Sequence, residues 1–191
     1  MRNLHLIFVL ATSLLPFATT QAAPADLRET GQATCYDATG ATITCTGTGQ
    51  DGDLKAGMAW PNPRFVAGPT ADCVTDTLTG LMWVRAPIYA GYTWVDAFTY
   101  ANGLNLCGYT DWRLPNINEL KSLVNSEAAN PATFLNSQGF SGLQPAPYWS
   151  STTHVGNPTV LAWYVSMGEG RVDGADKSIA GAFALPVRAG Q

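Results

Sequence analysis

One run in the middle of the chain, GYTDWRLPNINEL at positions 108–120, limits the possible folds more than any other feature. Trp112 and Leu114 alternate with polar residues as in a half-buried strand. Pro115 keeps Leu114 out of helical dihedral angles. Asn116 then offers an N-cap oxygen, and Glu119 occupies the third helical position, as in a capping box. The run therefore predicts an extended segment that leads directly into a capped helix.

Two amphipathic helices are predicted in all. The helix after Asn116 has an apolar face made by Ile117, Leu120, Leu123 and Val124. The other follows Thr93, with Asp96 three residues further on, and its apolar face is made by Trp94, Ala97, Phe98 and Ala101. Both faces are expected to pack against the sheet.

Alternating apolar stretches predict the strands. They are Leu81 to Val84, Tyr148 to Thr153, Leu161 to Met167 and Ala182 to Arg188. Gly168-Glu169-Gly170 is predicted to be a hairpin turn leading into Arg171. The polar stretch from Asn125 to Pro147, which contains several Gly and Pro residues, is predicted to be an irregular loop.

The first 23 residues have the pattern of a secretory signal peptide. Arg2 gives a positive start, Leu4 to Phe17 is mostly apolar, and small residues precede the expected cleavage after Ala23. Pro16 interrupts this stretch, which is also short for a membrane span. We therefore expect an exported protein, periplasmic or secreted, with no membrane span after cleavage. Residues 24–72 are expected to form a subregion of turns and short strands, and residues 73–188 the main domain.

The charge of the chain disfavours one class of partner. The 191 residues carry 10 Lys and Arg against 14 Asp and Glu, a net charge of −4, and loss of Arg2 with the signal would make it one unit more negative. An acidic protein without Lys/Arg runs is not expected to bind nucleic acid. His154 would be the remaining histidine, which disfavours a multi-histidine metal site.

Four cysteines, Cys35, Cys45, Cys73 and Cys107, are an even number, as expected for disulfides in an exported protein. Three pairings are possible. We favour Cys35–Cys45, which would close a hairpin, together with Cys73–Cys107. Zinc binding is the alternative, but the spacings contain no close CxxC-type pair.

Five motifs carry a resemblance to a known family. They are Thr79-Gly80-Leu81-Met82-Trp83, Asp111-Trp112-Arg113-Leu114-Pro115-Asn116 with Glu119-Leu120, Tyr148-Trp149-Ser150-Ser151-Thr152, Ala162-Trp163-Tyr164-Val165 and Leu185-Pro186-Val187-Arg188. In this order they resemble the family named for the C-terminal domain of the Legionella collagen-like adhesin, the Lcl C-terminal domain family.

The resemblance implies an α+β fold of the C-type lectin-like kind, with two helices packed on small antiparallel sheets and long irregular loops. It also implies attachment to surface carbohydrate. The chain has no collagen-like repeat of Gly at every third position. The acidic-amide and Trp-Asn-Asp motifs of calcium-dependent lectins are absent too, so calcium-mediated sugar binding is not carried over.

Aromatic residues have two competing interpretations, core packing and sugar stacking. Their apolar surroundings favour the core for Trp83, Trp112, Trp149 and Trp163. Tyr89, Tyr92 and Tyr164 are predicted to lie at the surface as ligand-binding candidates. Glu169 and Arg171 join them because they belong to the predicted hairpin.

The two arginines inside apolar motifs also have two interpretations. Arg113 and Arg188 could recognise an anion through the guanidinium group. We favour internal ion pairs, because charge in an apolar context is normally paired. Asp111 or Glu119 would then pair with Arg113, and another carboxylate with Arg188.

The sequence gives less support to calcium binding and to catalysis. Asp51-Gly52-Asp53 and Asp173-Gly174-Ala175-Asp176 could be oxygen-rich calcium turns, but ordinary solvated turns are favoured, and no cofactor or metal is expected. Ser150 and Ser151 near His154 are not expected to form a catalytic pair.

The sequence therefore predicts a protein that is not an enzyme: an exported binding module that recognises a glycan or a protein. The recognition surface is predicted to be the segment Asn125 to Pro147 and the hairpin around Glu169, because long loops on a stable scaffold are the usual place for recognition. The alternative is a structural component of a secretion or surface apparatus. The oligomeric state cannot be read from the sequence.

Overall fold

A computed structural model describes residues 27–88 and 91–190. The predicted signal peptide, residues 1–23, and Tyr89 lie outside the described residues. The elements in chain order are β1 (Cys35–Tyr36), β2 (Thr42–Ile43), α1 (Asp51–Leu54), β3 (Phe65–Ala67), β4 (Cys73–Asp76), β5 (Leu81–Val84), α2 (Trp94–Asn102), α3 (Ile117–Lys121), α4 (Pro131–Ser137), β6 (Pro147–Thr153), β7 (Leu161–Ser166), β8 (Val172–Asp176) and β9 (Val187–Ala189).

The strands form three small antiparallel sheets. One contains β1 and β2, another has the order β3-β4-β5-β9, and the third has the order β6-β7-β8. In the four-stranded sheet Phe65 is paired with Asp76, so β3 joins a sheet whose other strands come from later in the chain. Helices and antiparallel sheets together make the fold α+β, as predicted.

Both predicted helix starts are confirmed. The Thr93 side chain accepts a hydrogen bond from the backbone N–H of Asp96, and Ala97 and Ala101 are buried. At α3, Asn116 and Glu119 form the full capping box. This helix ends at Lys121, earlier than its apolar pattern suggested, but Leu123 is still fully buried in the turn that follows.

The prediction of an irregular loop from Asn125 to Pro147 was wrong. This segment contains α4, which begins with an Asn130 N-cap and Pro131 at its first position. Proline there supplies helical φ and loses no hydrogen bond, so it starts the helix rather than breaking it. The segment buries Ala132, Leu135, Phe140 and Leu143 in the core. The segment is therefore not the irregular loop that was predicted, since several of its side chains are committed to the core.

The C-terminal strands also differ from the prediction. Asp173 to Asp176, predicted to be a turn, belongs to β8, which pairs along its length with β7. Two aspartates and a glycine favour strands poorly, so the partner strand imposes this conformation. Ala182 to Arg188 is mostly extended chain with isolated bridges, and β9 begins only at Val187. The Trp112 segment likewise forms a single bridge, Arg113 with Val187, rather than a strand.

A further correction concerns Asp51-Gly52-Asp53, which forms the short helix α1 rather than a turn. Gln50 precedes the helix and exchanges two hydrogen bonds with the backbone of Tyr36. Gly52 lies so close to Cys35 that an added Cβ would come within 2.9 Å of its Sγ. Packing against the β1–β2 hairpin therefore fixes this segment.

Three clusters of buried side chains hold the elements together. The largest joins both main sheets to α3 and α4, and it includes Trp83, Leu120, Leu135, Val165 and Leu185. A second lies under α2 and includes Ala97, Trp149 and Tyr164. The third surrounds the disulfide Cys73–Cys107 and includes Trp112.

Both favoured disulfides are present, Cys35–Cys45 and Cys73–Cys107, and the described residues contain no free cysteine. Within residues 27–88 and 91–190, no helix has the length and apolar character needed to cross a membrane.

Candidate functional site

One concave surface of the described chain is an open groove of about 660 Å³. It lies between the N-terminal segment, the β4–β5 turn, α3 with the residues that follow it, and the β7–β8 hairpin. Its lining residues are Leu27, Arg28, Glu29, Thr30, Met58, Leu78, Thr79, Asn118, Lys121, Val124, Ser126 and Gly170. We call this surface the N-terminal groove.

Backbone hydrogen bonds hold one wall of the groove in place. Met58 donates to the carbonyl of Leu27 at 2.8 Å, and Glu29 donates to the carbonyl of Met58 at 3.0 Å. The Ser126 N–H donates to the carbonyl of Thr30 at 2.9 Å. Because these bonds fix the backbone at several points, the N-terminal segment is part of the folded domain.

The capping box of α3 orients the opposite wall. Asn118 and Lys121 lie three positions apart, so they share the face of the helix turned away from buried Leu120. The first N–H of the helix, from Ile117, donates to Thr152 Oγ1 at 3.1 Å, which ties the helix to β6. The sequence therefore presents one amide and one ammonium group to the groove on a fixed helix.

Several polar groups of the groove have no partner in the described part of the chain. No hydrogen bond or ion pair is made there by the side chains of Asn118, Lys121 or Ser126. Leu27 and Met58 add exposed apolar surface beside them. This combination of free donors and acceptors with apolar patches suits a ligand that has both hydroxyl groups and C–H faces.

Arg28 contributes positive charge to the groove. Its Nη2 donates to the carbonyl of Lys121 at 2.9 Å. Burial lowers the pKa of its guanidinium group, and repulsion from Arg64 lowers it further, while attraction to Asp76 offsets part of the effect. Arg28 is thus a cation whose charge nearby groups do not fully compensate.

Sequence reasoning missed the buried ion pair next to Arg28. Arg64 and Asp76 have side chains 2% and 0% exposed, with Nη2 2.7 Å from Oδ2. Asp76 also accepts hydrogen bonds from the Leu78 N–H and Thr79 Oγ1, which shapes the β4–β5 turn. Arg64 lies between Pro63 and Phe65, and an arginine in such an apolar context was the available signal.

The predicted ligand-binding residues do not converge on one site. Glu169 and Arg171 flank Gly170, which lines the groove, and they form an exposed ion pair with each other at 3.1 Å. Tyr92 is half-buried and stacks on Tyr100 with ring centroids 5.0 Å apart, in the region of the second cluster. Among the described residues that line the groove, none carries an aromatic ring.

The predicted surface position of Tyr164 was wrong. The residue is 8% exposed and packs edge-on against Trp149. Both faces of β7 are covered here, because the adjacent Val165 is buried in the first cluster while Tyr164 is buried in the second. A strand covered on both faces does not show the in/out alternation on which the prediction depended.

Three of the four predicted core tryptophans, Trp83, Trp112 and Trp149, are buried as predicted. Trp163 is only partly buried, which corrects the fourth prediction. The centroid of its ring lies 4.3 Å from that of the His154 ring, outside the three clusters of buried side chains. Gly174 faces it across the sheet, and an added Cβ there would lie 3.2 Å from His154.

The two predicted arginine pairs are present. Arg113 binds both carboxylate oxygens of Glu119, at 2.8 and 2.6 Å, so Glu119 is the partner among the two candidates. The Arg113 side chain is nevertheless 44% exposed rather than internal. Arg188 is buried, binds Asp111 at 2.7 and 3.1 Å, and lies 3.6 Å above the Tyr109 ring.

The pairs also set the charge of their carboxyl groups. The Arg188 hydrogen bond lowers the pKa of Asp111. For Glu119, burial raises the pKa, but the hydrogen bonds from Arg113 and from the Asn116 N–H outweigh burial, and the net shift is downward. Both carboxylates are therefore ionised around neutral pH and committed to internal contacts.

The structure also shows where the side chains lie that could bind a metal ion or take part in catalysis. Among the described residues, no cluster of three or more His, Cys, Asp or Glu side chains could hold a metal ion. The Ser150 hydroxyl donates to the carbonyl of Trp163 at 2.6 Å, and the His154 ring lies against the Trp163 ring at an interplanar angle of 33°.

Taken together, the geometry is that of a disulfide-linked α+β domain with an open groove lined by both polar and apolar side chains. A sequence model of the Lcl C-terminal domain family matches residues 72–188, which is more than half of the chain, and the chain therefore belongs to this family. No curated protein matches the chain significantly. Family membership suggests an adhesin-like module, and the family and the two disulfides fit an exported protein.

Proposed function

We propose that this chain is an exported, non-enzymatic binding module of the adhesin type, and that it recognises a glycan in the N-terminal groove. The observation that carries the proposal is a set of groove side chains, Asn118, Lys121 and Ser126, that have no hydrogen-bond or ion-pair partner in the described part of the chain. Amide, ammonium and hydroxyl groups are the usual partners of sugar hydroxyls, and Leu27 and Met58 offer contact to the C–H faces of a sugar ring.

Two further features support this assignment. The groove is large enough for a ligand of several rings, since binding pockets commonly have volumes of roughly 300–1,000 Å³. The α+β arrangement of small sheets and helices supports a C-type lectin-like fold, and the proposal includes that fold. The predicted signal peptide supports export to the periplasm or beyond the cell.

The test is a glycan array followed by titration of the bound glycan. The variant Asn118→Ala/Lys121→Ala removes two groove side chains that make no internal contact among the described residues, so its folding should be unaffected. We expect it to bind at least about tenfold more weakly. The matched control, Asn105→Ala/Lys55→Ala, removes the same residue types outside the groove and should bind like the unmodified protein.

Two results would contradict the proposal. One is unchanged glycan affinity in the groove variant. The other is an absence of binding to any glycan together with turnover of a small substrate, which would indicate an enzyme.

A second candidate function is a structural role in a surface or secretion assembly. The exposed apolar side chains of Val95, Val155 and Ile179 would supply contacts to a partner subunit in such an assembly. A pull-down with the mature protein that captures a stoichiometric subunit, and loses it in Val155→Asp, would support this candidate instead.

A further inference from the structure

A smaller cleft of about 230 Å³ lies away from the N-terminal groove, where β8 ends. It is lined by Pro147, Trp149, Tyr164, Ala175, Asp176, Ile179, Gly181 and Ala182. These side chains are apolar or aromatic except for Asp176, which carries the one charge among the described lining residues. The cleft therefore combines apolar walls with a single carboxylate.

The carboxylate of Asp176 is ionised, and one of its two oxygens has no partner within the described chain. Its Oδ1 accepts hydrogen bonds from the N–H and the hydroxyl of Ser178, at 2.9 and 2.8 Å, and these bonds lower the pKa of the carboxyl group. Within the described chain, Oδ2 has no hydrogen-bond or ion-pair partner. One oxygen thus holds the group in position and the other is free to bind.

The nearest cation in the sequence does not neutralise this carboxylate. Lys177 donates its Nζ hydrogen bond to the carbonyl of Pro158 at 2.8 Å, and Nζ lies 4.1 Å above the ring of Trp94. The ammonium group is therefore committed to other contacts. The cleft keeps an uncompensated negative charge beside aromatic side chains.

We propose that this cleft binds an organic ammonium ion on a short apolar stem. The carboxylate would pair with the positive charge, and Pro147, Ile179 and the exposed part of Tyr164 would contact the stem; cations are also attracted to aromatic rings. A free amine, an amino sugar and a lysine side chain share this chemistry. The site is separate from the groove, so the inference stands independently of glycan binding there.

The experiment compares a cation with its neutral isostere on the unmodified protein. Choline and 3,3-dimethyl-1-butanol have the same shape and differ in charge, and each is titrated while the backbone amide signals are recorded by NMR. We expect choline to shift the signals of Ala175, Gly181 and Ala182 and to bind roughly five- to tenfold more tightly. Equal affinity for the two compounds would overturn the proposal.

Two variants identify the charge responsible. Asp176→Asn should remove the preference for choline, whereas Asp173→Asn makes the same change in net charge on the same strand outside the cleft and should retain it. A preference that survives Asp176→Asn would also overturn the proposal. Pairs such as glucosamine with glucose, and Nα-acetyl-lysine amide with its Nε-acetylated form, then show which source of ammonium binds most tightly.

Discussion

At the scale of single residues, arginine side chains connect distant parts of the chain. Arg64 binds Asp76 and the carbonyl of Ser122, and so joins the N-terminal segment to β4 and α3. Arg188 joins the last strand to Asp111. The ion pairs of the chain differ greatly in exposure. We expect the loss of one partner to lower the free energy of unfolding most where the pair is buried, because a buried charge left without its partner is not solvated.

The buried pair gives the first prediction. Asp76→Ala leaves the Arg64 charge buried and unpaired, so the free energy of unfolding should fall by about 3–5 kcal/mol in urea denaturation. Glu169→Ala is the matched control, since it breaks an exposed pair and should change stability by less than about 1 kcal/mol. Similar losses in the two variants would contradict the assignment.

At the scale of elements, the sequence predicted helix starts, turns and strands correctly where the residues that determine them lie together in one short segment. The N-caps at Thr93 and Asn116, the hairpin turn at Glu169 and the strand at Leu81 were predicted because caps and turns depend on neighbouring residues. The helix α4 was missed because its proline and the glycines after it look like loop signals. The pairing of β8 was missed because a distant strand imposes it.

The second prediction tests whether α4 is part of the core. Leu135 is fully buried, so Leu135→Ala should lower the free energy of unfolding by about 2–5 kcal/mol. Thr133 lies on the exposed side of the same helix, and Thr133→Ala should change stability by no more than about 0.5 kcal/mol. A small effect of Leu135→Ala would indicate that the segment is a surface loop and not part of the core.

The third prediction concerns the contact that holds the N-terminal hairpin. Glu127 accepts hydrogen bonds from the N–H groups of Ala33 and Thr34 and from the Thr34 hydroxyl. The bond from Ala33, followed by those from Thr34, lowers the pKa of Glu127 below its usual 4.5. Because the folded pKa is the lower one, this stabilisation is complete above pH 4.5 and is lost as the pH falls through the folded value.

Hydrogen exchange measures this effect directly. The protection factors of the Ala33 and Thr34 amides should decrease when the pH is lowered well below 4.5, and Glu127→Gln should make them far less sensitive to pH. Amides of β5, which are remote from Glu127, serve as the internal control. Equal pH responses in Glu127→Gln and the unmodified protein would contradict the role of the carboxylate.

At the scale of the whole molecule, disulfides and a shared core unite segments that are far apart in the sequence. Cys73–Cys107 spans 34 residues and Cys35–Cys45 spans 10. A longer closed loop restricts the unfolded chain more. Replacing both cysteines of the longer link by serine should therefore cost about 1 kcal/mol more stability than the same change in the shorter one. An equal or smaller cost, measured by thermal unfolding, would contradict this.

The N-terminal groove could not have been predicted from the sequence. Its described walls come from residues 27–30, 58, 78–79, 118, 121, 124, 126 and 170, which only the folded chain brings together. The resemblance to the family identified the fold class and the adhesin-like character, but local patterns placed recognition on Asn125 to Pro147 and on the hairpin around Glu169. Of these two segments, Ser126 and Gly170 belong to the described lining of the groove, while other side chains of Asn125 to Pro147 are buried in the core.

The central claim is that recognition takes place in the N-terminal groove. The most direct measurement is NMR mapping of a glycan identified on the array, titrated into the isotopically labelled protein. The account predicts shifts concentrated on the backbone and side-chain signals of Asn118, Lys121 and Ser126. Shifts confined to Val95, Val155 and Ile179, with the groove signals unchanged, would contradict it.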